Sequence, residues 1–253
     1  MLMLPLQDQS SLVGCSTMII GSGLLARAFA ANTLPTPHCV YAAGVSNSSC
    51  MDPREFEREK ARLLDAITAA PDQCLFLYFS TCSIGDPEVT ESAYVRHKLA
   101  MEKLVGQRQR YLILRLPQLA GSTPNPHTLL NHLYSRIVRS ERFLVWGGAR
   151  RNLIDVDDVV RITADLIASE DACNETINVA NTGSYSIFDI ISAFENALGH
   201  KAIFDILPRG TGYAIDTSRI QPALSRCGLA FDSNYLPRLI GKYYGHADDH
   251  STA

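Results

Sequence analysis

The stretch Cys74-Leu75-Phe76-Leu77-Tyr78-Phe79 decides the fold class. A continuous apolar run of this kind is typical of a central parallel strand that is covered on both faces. Similar β-rich runs at 16–20, 39–43 and 111–115 alternate with amphipathic segments that have a helical period. Strands that alternate with helices in this way predict right-handed βαβ units in a doubly wound, mainly parallel α/β sheet.

Composition excludes several classes of protein. The 253 residues are 46% hydrophobic and 19% charged with a net charge of −3, which argues against a nucleic-acid surface or a polybasic membrane patch. No stretch approaches the roughly 20 apolar residues of a membrane helix. Seven cysteines lack any C-x-x-C pair, so we expect reduced thiols in the cytoplasm and neither a zinc site nor a disulfide framework. We interpret the first residues, including Leu12-Val13-Gly14-Cys15, as a short leader without the features of a signal peptide.

The sequence pattern changes after Pro117, where a loop with Pro and Asn residues precedes an amphipathic helix through Leu129 and Leu133. A loop that follows a strand in such a sheet is a natural place for substrate contacts. We therefore predict an abbreviated dinucleotide-binding core at 1–117. Residues 118–253 are predicted to form the remainder of the core, at about 143–182, and a small C-terminal substrate-binding lobe.

A glycine turn connects the first predicted strand to the first helix. Gly21-Ser22-Gly23-Leu24-Leu25-Ala26 fits the pattern G-x-G-x-x-A, in which bare backbone amides hold a pyrophosphate. A tight turn without a ligand is the alternative interpretation. An acidic residue about 20 positions later usually binds the ribose, but here only the turn residues 32–38 precede the next strand. The adenosine half of the pocket is therefore expected to be abbreviated, and NAD cannot be distinguished from NADP.

Two further motifs place polar side chains near this edge of the sheet. Ser80-Thr81-Cys82-Ser83 follows the central strand at its carboxyl end, where open α/β sheets bind their ligands. Tyr94 and Lys98 lie four residues apart in a predicted helix, so their Cβ atoms are expected about 5–6 Å apart on one face. A phenol and an ammonium so placed are candidates for acid–base chemistry.

These motifs resemble the extended short-chain dehydrogenase/reductase superfamily, in particular its NAD-dependent epimerases and dehydratases of nucleotide sugars. The resemblance also includes Gly85-Asp86, 114–117 with Gly121, and 151–158. It implies a Rossmann-like fold, an NAD or NADP cofactor and a nucleotide-sugar substrate, with a possible homodimer through two long helices. Tyr94 would be the acid or base, and Thr81 would orient the reacting oxygen. Lys98, with help from the cationic oxidised nicotinamide, would lower the pKa of Tyr94, and it would also hold the nicotinamide ribose.

The resemblance also assigns binding residues. The predicted cofactor-binding set is Gly21, Ser22, Gly23, Leu24, Leu25, Ala43, Tyr94, Lys98 and Pro117. The predicted substrate-binding set is Thr81, Asn125, His127 and Arg151. Cys82 and His127 are a possible acid–base pair similar to that of GDP-fucose synthase, and a half-buried cysteine with an unrelated loop histidine is the alternative.

Departures from the family pattern narrow the function. Ile20 and Ala26 stand where glycines are usual, the second and third strands are missing, and the usual Asn of the following helix has no counterpart, with Arg58 and Glu59 nearby. No Asp-Glu pair follows Thr81, so 4,6-dehydration is not expected. We therefore expect an NAD(P)-dependent epimerase or 4-keto reductase. The alternative is a non-catalytic sensor or scaffold, or a sugar-nucleotide binder with impaired dinucleotide binding.

Overall fold

The computed structural model describes residues 17–35, 37–169 and 172–245; Ser16 and the predicted leader lie outside these ranges. The elements in chain order are β1 (Met18–Ile20), α1 (Leu24–Ala30), β2 (His38–Tyr41), α2 (Pro53–Ala69), β3 (Leu75–Thr81), α3 (Ala93–Val105), β4 (Tyr111–Leu116), β5 (Gln118–Ala120), α4 (Leu129–Val138), β6 (Phe143–Trp146), β7 (Arg150–Arg151), β8 (Leu153–Asp155), α5 (Val156–Ala168), β9 (Glu175–Asn178), β10 (Tyr185–Ser186), α6 (Ile187–Leu198), β11 (Phe204–Leu207), α7 (Gln221–Cys227) and α8 (Tyr235–Tyr244).

The central sheet has five strands in the order β1-β2-β3-β4-β9, and every neighbouring pair is parallel. All residues of β3 are buried, as its continuous apolar run predicts. The parallel α/β sheet with helices on both faces is therefore confirmed. The strand also extends two residues beyond the apolar run, so that Thr81 is its last residue.

Two apolar layers cover the sheet. Phe29 of α1 and the buried face of α5 pack on one side, against residues such as Val40 and Leu77. Leu63 of α2 and Met101 of α3 pack on the other side, together with Tyr41, Tyr78 and their neighbours. This alternation along β2 and β3 follows from the period of two in a strand.

The first crossover departs from the expected handedness. β1-α1-β2 and β2-α2-β3 both advance the sheet in the same direction, but α1 and α2 lie on opposite faces. Two such units have opposite hands, so the expectation of right-handed units throughout is wrong for one of them. Right-handed connections are nearly universal between neighbouring parallel strands. The first unit is the exception, because α3, which follows β3, lies on the same face as α2.

β1 is an edge strand of the described sheet, since it pairs only with β2. Residues 31–37 connect α1 to β2 without an intervening strand among those that the structure describes. The abbreviated cofactor half expected from the sequence is therefore confirmed.

The smaller lobe has its own apolar core, built from α4, α6 and α8. Around it lie three two-stranded pairs, β5-β8, β6-β11 and β7-β10. Within residues 143–182, α5 and β9 belong to the main sheet and its covering layer, whereas β6 pairs with β11 in the lobe. These short strand pairs carry no alternating pattern strong enough to be read from the sequence.

Cys39, Cys50, Cys82, Cys173 and Cys227 are free thiols, as expected. The expectation of reduced thiols is wrong for Cys74, which is disulfide-bonded. Among the described helices, none has both the length and the apolar character needed to cross a membrane.

Candidate active site

Thr81 lies at the carboxyl end of the central strand β3, where the backbone changes from strand to a 3-10 turn at Cys82–Gly85. Its hydroxyl oxygen accepts a hydrogen bond from the Ser83 amide at 3.1 Å and so caps this turn. The Thr81 side chain is buried and lies close enough to the Tyr94 side chain to lower its pKa. The strand end thus delivers one hydroxyl group directly to the predicted acid–base residue.

Helix α3 presents Tyr94 and Lys98 to the same buried region. Ser92 begins the helix by accepting a hydrogen bond from the Val95 amide at 3.1 Å, which sets the rotation of the first turn. Tyr94 is 7% exposed and Lys98 is 3% exposed. The Nζ atom of Lys98 lies 6.0 Å from the centre of the Tyr94 ring. The structure therefore brings together Thr81, Tyr94 and Lys98, as the sequence led us to expect.

Within the chain itself, the pKa of Tyr94 is raised to about 12: burial is the main cause, Thr81 opposes it, and the charge of Glu59 adds to it. The expected lowering of this pKa includes the charge of an oxidised nicotinamide and stays a prediction. Burial also lowers the pKa of Lys98, while Glu59 raises it. At neutral pH Tyr94 is a neutral phenol, and Lys98 shares its charge with a carboxylate rather than acting on the phenol alone.

That carboxylate belongs to Glu59 on α2, whose side chain is 1% exposed. Its Oε1 atom accepts hydrogen bonds from Lys98 Nζ at 3.0 Å and from the Tyr78 hydroxyl at 2.8 Å. Its Oε2 atom accepts from the Val45 amide at 2.6 Å and lies 3.0 Å from Nε2 of His97. Burial alone raises the pKa of Glu59, but these hydrogen bonds and the charge of Lys98 outweigh it and bring the pKa to about 2.

In the sequence, Glu59 stands out only as a neighbour of the position where the usual Asn is missing. One signal could have identified it: Glu59, Leu63 and Ala66 lie at i, i+4 and i+7, which places a carboxylate on the buried face of an amphipathic helix. Glutamate is rarely buried completely unless it is paired. A buried-face Glu therefore predicts a cationic partner, and Lys98 is that partner.

The glycine turn has the geometry that the motif requires. Gly21 has a φ of +130°, and a Cβ atom there would lie 2.4 Å from the Ala42 carbonyl oxygen, so only glycine fits. Gly23, in contrast, has no atom within 4 Å of a Cβ position. The backbone after β1 is thus open on the side where a ligand can approach closely. Ser22 is exposed, and its carbonyl accepts a hydrogen bond from Arg27 at 3.0 Å.

The remaining predicted cofactor residues lie around this edge of the sheet. Leu24 is half-buried and faces the position of Gly121. Leu25 packs against the main apolar core. Ala43 and Pro117 are half-buried and follow β2 and β4. Beside them, the hydroxyl of Ser80 is buried without a hydrogen-bond partner within the described chain, which leaves a donor available to a ligand.

Cys82 and His127 do not hydrogen-bond to each other. The Cys82 thiol donates to the Arg115 carbonyl at 3.2 Å, and burial raises its pKa to about 12. His127 is exposed, and its backbone amide donates to Asn125 Oδ1 at 3.0 Å. Arg151 is half-buried in β7 and donates to the carbonyl of Arg150. Their predicted roles in acid–base chemistry and substrate binding stay predictions.

A cavity of about 120 Å³ adjoins the turn that follows Thr81. Its lining combines Cys82 and Arg115 of the main sheet with Tyr213 and Asp216 from the segment after β11. Burial raises the pKa of Tyr213 to about 12. Tyr213 and Asp216 could not be predicted from the sequence, because no motif links a segment so late in the chain to the central strand.

A family model described as the NAD dependent epimerase/dehydratase family matches residues 36–180, which is more than half of the chain. A comparison with curated proteins finds no match.

Solved structures share the fold. RMD from Pseudomonas aeruginosa, in complex with NADPH, has a TM-score of 0.67 at 15% identity, covering 88% of this chain and 96% of that chain. A mutant UDP-glucuronic acid 4-epimerase from Bacillus cereus, with a fluorinated UDP-glucuronic acid and NAD, has a TM-score of 0.64 at 19% identity, covering 84% of this chain and 76% of that chain. A dTDP-glucose 4,6-dehydratase from Bacillus anthracis, with NAD, has a TM-score of 0.62 at 13% identity, covering 82% of this chain and 73% of that chain.

Proposed function

The chain belongs to the NAD-dependent epimerase/dehydratase family, and from this premise we propose that it is an NAD(P)-dependent epimerase or 4-keto reductase of a nucleotide-activated sugar. One observation carries the proposal. Thr81, Tyr94 and Lys98 are buried together at the carboxyl end of the central strand, where Thr81 lowers the pKa of Tyr94 and Lys98 Nζ lies 6.0 Å from the Tyr94 ring centre. The nucleotide-sugar ligands of the solved epimerase structures support the choice of substrate class.

The residues present fit a dinucleotide. The turn at Gly21 and Gly23 leaves backbone open to a phosphate. Among the described residues, the buried Ser80 hydroxyl has no partner and Lys98 Nζ makes two hydrogen bonds, which leaves one N–H for a ribose hydroxyl. Ala43 and Pro117 would line the same edge. A bound NAD(P) would supply the hydride acceptor or donor for the reaction.

The chain's own part in the reaction is proton transfer and orientation. In the reductive direction, neutral Tyr94 would donate its hydroxyl proton to the ketone oxygen of the sugar while Thr81 orients that oxygen. In the oxidative direction, the same oxygen atom of Tyr94, deprotonated, would take the proton of the sugar hydroxyl. A pKa of about 12 keeps Tyr94 protonated at neutral pH, which suits the reductive step.

The second candidate is a sugar-nucleotide binder or sensor that has lost the dinucleotide. The observation that favours it is the edge position of β1, which leaves the adenosine side of the sheet without the strands that usually complete it. This candidate and the enzyme differ in one respect that can be measured, the affinity for NAD(H) or NADP(H).

Thermal unfolding with saturating NAD, NADH, NADP, NADPH, UDP-sugars and GDP-sugars separates the two. A ligand at 100 times its Kd stabilises the fold by about 2.7 kcal/mol. The enzyme predicts stabilisation by one dinucleotide and by one class of nucleotide sugar. Stabilisation by a nucleotide sugar alone would select the binder, and no response to any of these ligands would contradict both.

A further inference from the structure

Glu59 is a buried charged group, and neither the packing of the fold nor the proposed proton transfer explains why it is there. It contacts three separate elements: Lys98 and His97 on α3, Tyr78 on β3, and the Val45 amide in the segment after β2. Each carboxylate oxygen has two partners, so its hydrogen-bonding capacity is well used. A helix that serves only to cover the sheet would place an apolar side chain here, as it does at Leu63.

The segment after β2 closes directly over the charged pair. A Cβ atom on Gly44 would lie 2.7 Å from Lys98 Nζ and 2.8 Å from Glu59 Oε1. The absence of a side chain at this position therefore lets the backbone next to Ala43 approach both charges. Glu59 thus connects Lys98 to the same segment that the cofactor is expected to contact.

Two roles are open to such a carboxylate, a proton carrier or a permanent counter-ion. With a pKa held near 2 by Lys98 and its hydrogen-bond donors, Glu59 is almost always ionised at neutral pH. A group that is so rarely protonated makes a poor relay at neutral pH. The counter-ion role agrees with its contacts, because an ionised carboxylate accepts hydrogen bonds from every partner it has here.

We propose that Glu59 is a positioning residue, which keeps Lys98 as an ammonium ion beside Tyr94 and orients its one remaining N–H bond. The inference rests on the proposed function for its catalytic meaning, whereas the link between Glu59 and Lys98 is a property of the ligand-free chain. Without the carboxylate, the buried lysine would lose its charge as the pH rises, and the pair would no longer hold the segment after β2.

The titratable groups that face this pair come from every surrounding element and contribute to any pH dependence. They are Tyr41 on β2, Tyr78 on β3, and Tyr94, His97 and Glu102 on α3. Cys50, together with Glu55, Arg58 and Arg62 of α2, lines the same cavity as Glu59.

The test compares Glu59→Gln with Glu57→Gln, a change on the same helix at a side chain that is 75% exposed. The first measurement is an NMR pH titration of ¹³C-labelled lysine in the ligand-free protein, with the Lys98 signal assigned through Lys98→Met. We expect the titration of Lys98 to move to lower pH in Glu59→Gln and to match the native protein in Glu57→Gln. An unchanged titration in a folded Glu59→Gln variant would overturn the proposal.

The second measurement is the pH profile of turnover with the dinucleotide and sugar that stabilise the native protein. Glu59→Gln is expected to lose about tenfold or more of kcat above neutral pH and to regain part of it at lower pH, where Lys98 is again charged. A purely structural role would lower kcat equally at every pH and would overturn the proposal. Absence of turnover in the native protein would refute the proposed function, while the ligand-free titration would still decide the link between Glu59 and Lys98.

If Glu59→Gln does not fold, Glu59→Asp replaces it. That variant keeps the charge and shortens the side chain by one methylene group, so Lys98 is expected to titrate close to its native pH while its orientation changes. A large shift of the Lys98 titration in a folded Glu59→Asp protein would contradict the counter-ion role.

Discussion

Replacing Glu59 by Gln and Lys98 by Met, singly and together, measures how strongly the two buried charges stabilise the fold. The Nζ and Oε1 atoms are 3.0 Å apart, and both side chains are almost fully buried. At an effective dielectric constant of about 20, this separation corresponds to an attraction of about 5.5 kcal/mol, part of which burial of the charges offsets. Removing one partner of a buried ion pair typically costs about 3–5 kcal/mol.

The free energy lost in Glu59→Gln has an upper limit, because Lys98 can lose its proton once the carboxylate is gone. Starting from an unfolded-state pKa of about 10.4, deprotonation costs about 4.6 kcal/mol at pH 7 but only about 1.9 kcal/mol at pH 9. In Glu59→Gln the unfolded state then binds more protons than the folded state, so stability rises with pH. We therefore expect a loss of about 3–5 kcal/mol at pH 7 that shrinks to below about 2 kcal/mol at pH 9.

Urea unfolding at both pH values gives the free energies for the native protein, the two single variants and the double variant. The loss of stability in the double variant is expected to be about 3 kcal/mol smaller than the sum of the two single losses. The reason is that the double variant leaves no buried charge without a partner. Glu57→Gln serves as the surface control, with a change within about 0.5 kcal/mol. Additive single losses, or a Glu59→Gln cost that does not fall with pH, would refute this reasoning.

Three further outcomes are expected. Gly21→Ala should lower the free energy of unfolding by more than about 2 kcal/mol, because Gly21 has a positive φ and lies next to the Ala42 carbonyl. Gly23→Ala should change the free energy of unfolding in urea by less than about 0.5 kcal/mol but weaken dinucleotide binding in a fluorescence titration. Thr81→Val should lower kcat about 100-fold and Thr81→Ser should restore most of it; equal losses would count against the hydroxyl. Below about pH 4.5, the native protein should lose roughly 3 kcal/mol as Glu59 is protonated toward its folded pKa of about 2, whereas Glu59→Gln should lack this share of the acid sensitivity in unfolding curves.

The parallel sheet could be predicted because its strands have strong local signals. Most of β3 is a long apolar run. The N-cap residue Asp52 and the following Pro53 mark the start of α2. Asp52 stabilises the first turn by accepting a hydrogen bond from the Arg54 amide. Thr81, Tyr94 and Lys98 could also be identified, because each occupies a fixed place relative to a strand end or a helix turn. These features depend on neighbours in sequence, which a sequence pattern records directly.

Other features depend on contacts between distant segments. Glu59 binds Lys98 across 39 positions, and the pattern of either helix alone does not show that the two side chains meet. Tyr213 reaches the turn beside Cys82 from the far end of the chain. The pKa of Tyr94 also depends on burial and on the charge of Glu59, which the spacing between Tyr94 and Lys98 does not record.

The central claim is that Tyr94 transfers a proton during a dinucleotide-dependent reaction on a nucleotide sugar, and Tyr94→Phe tests it most directly. The variant keeps the ring and removes one hydroxyl group, so the fold and the Kd for the dinucleotide should change little. Turnover of the nucleotide sugar that stabilises the native protein should fall by at least about 100-fold across the pH range. Native-like turnover in a folded Tyr94→Phe protein would contradict the account.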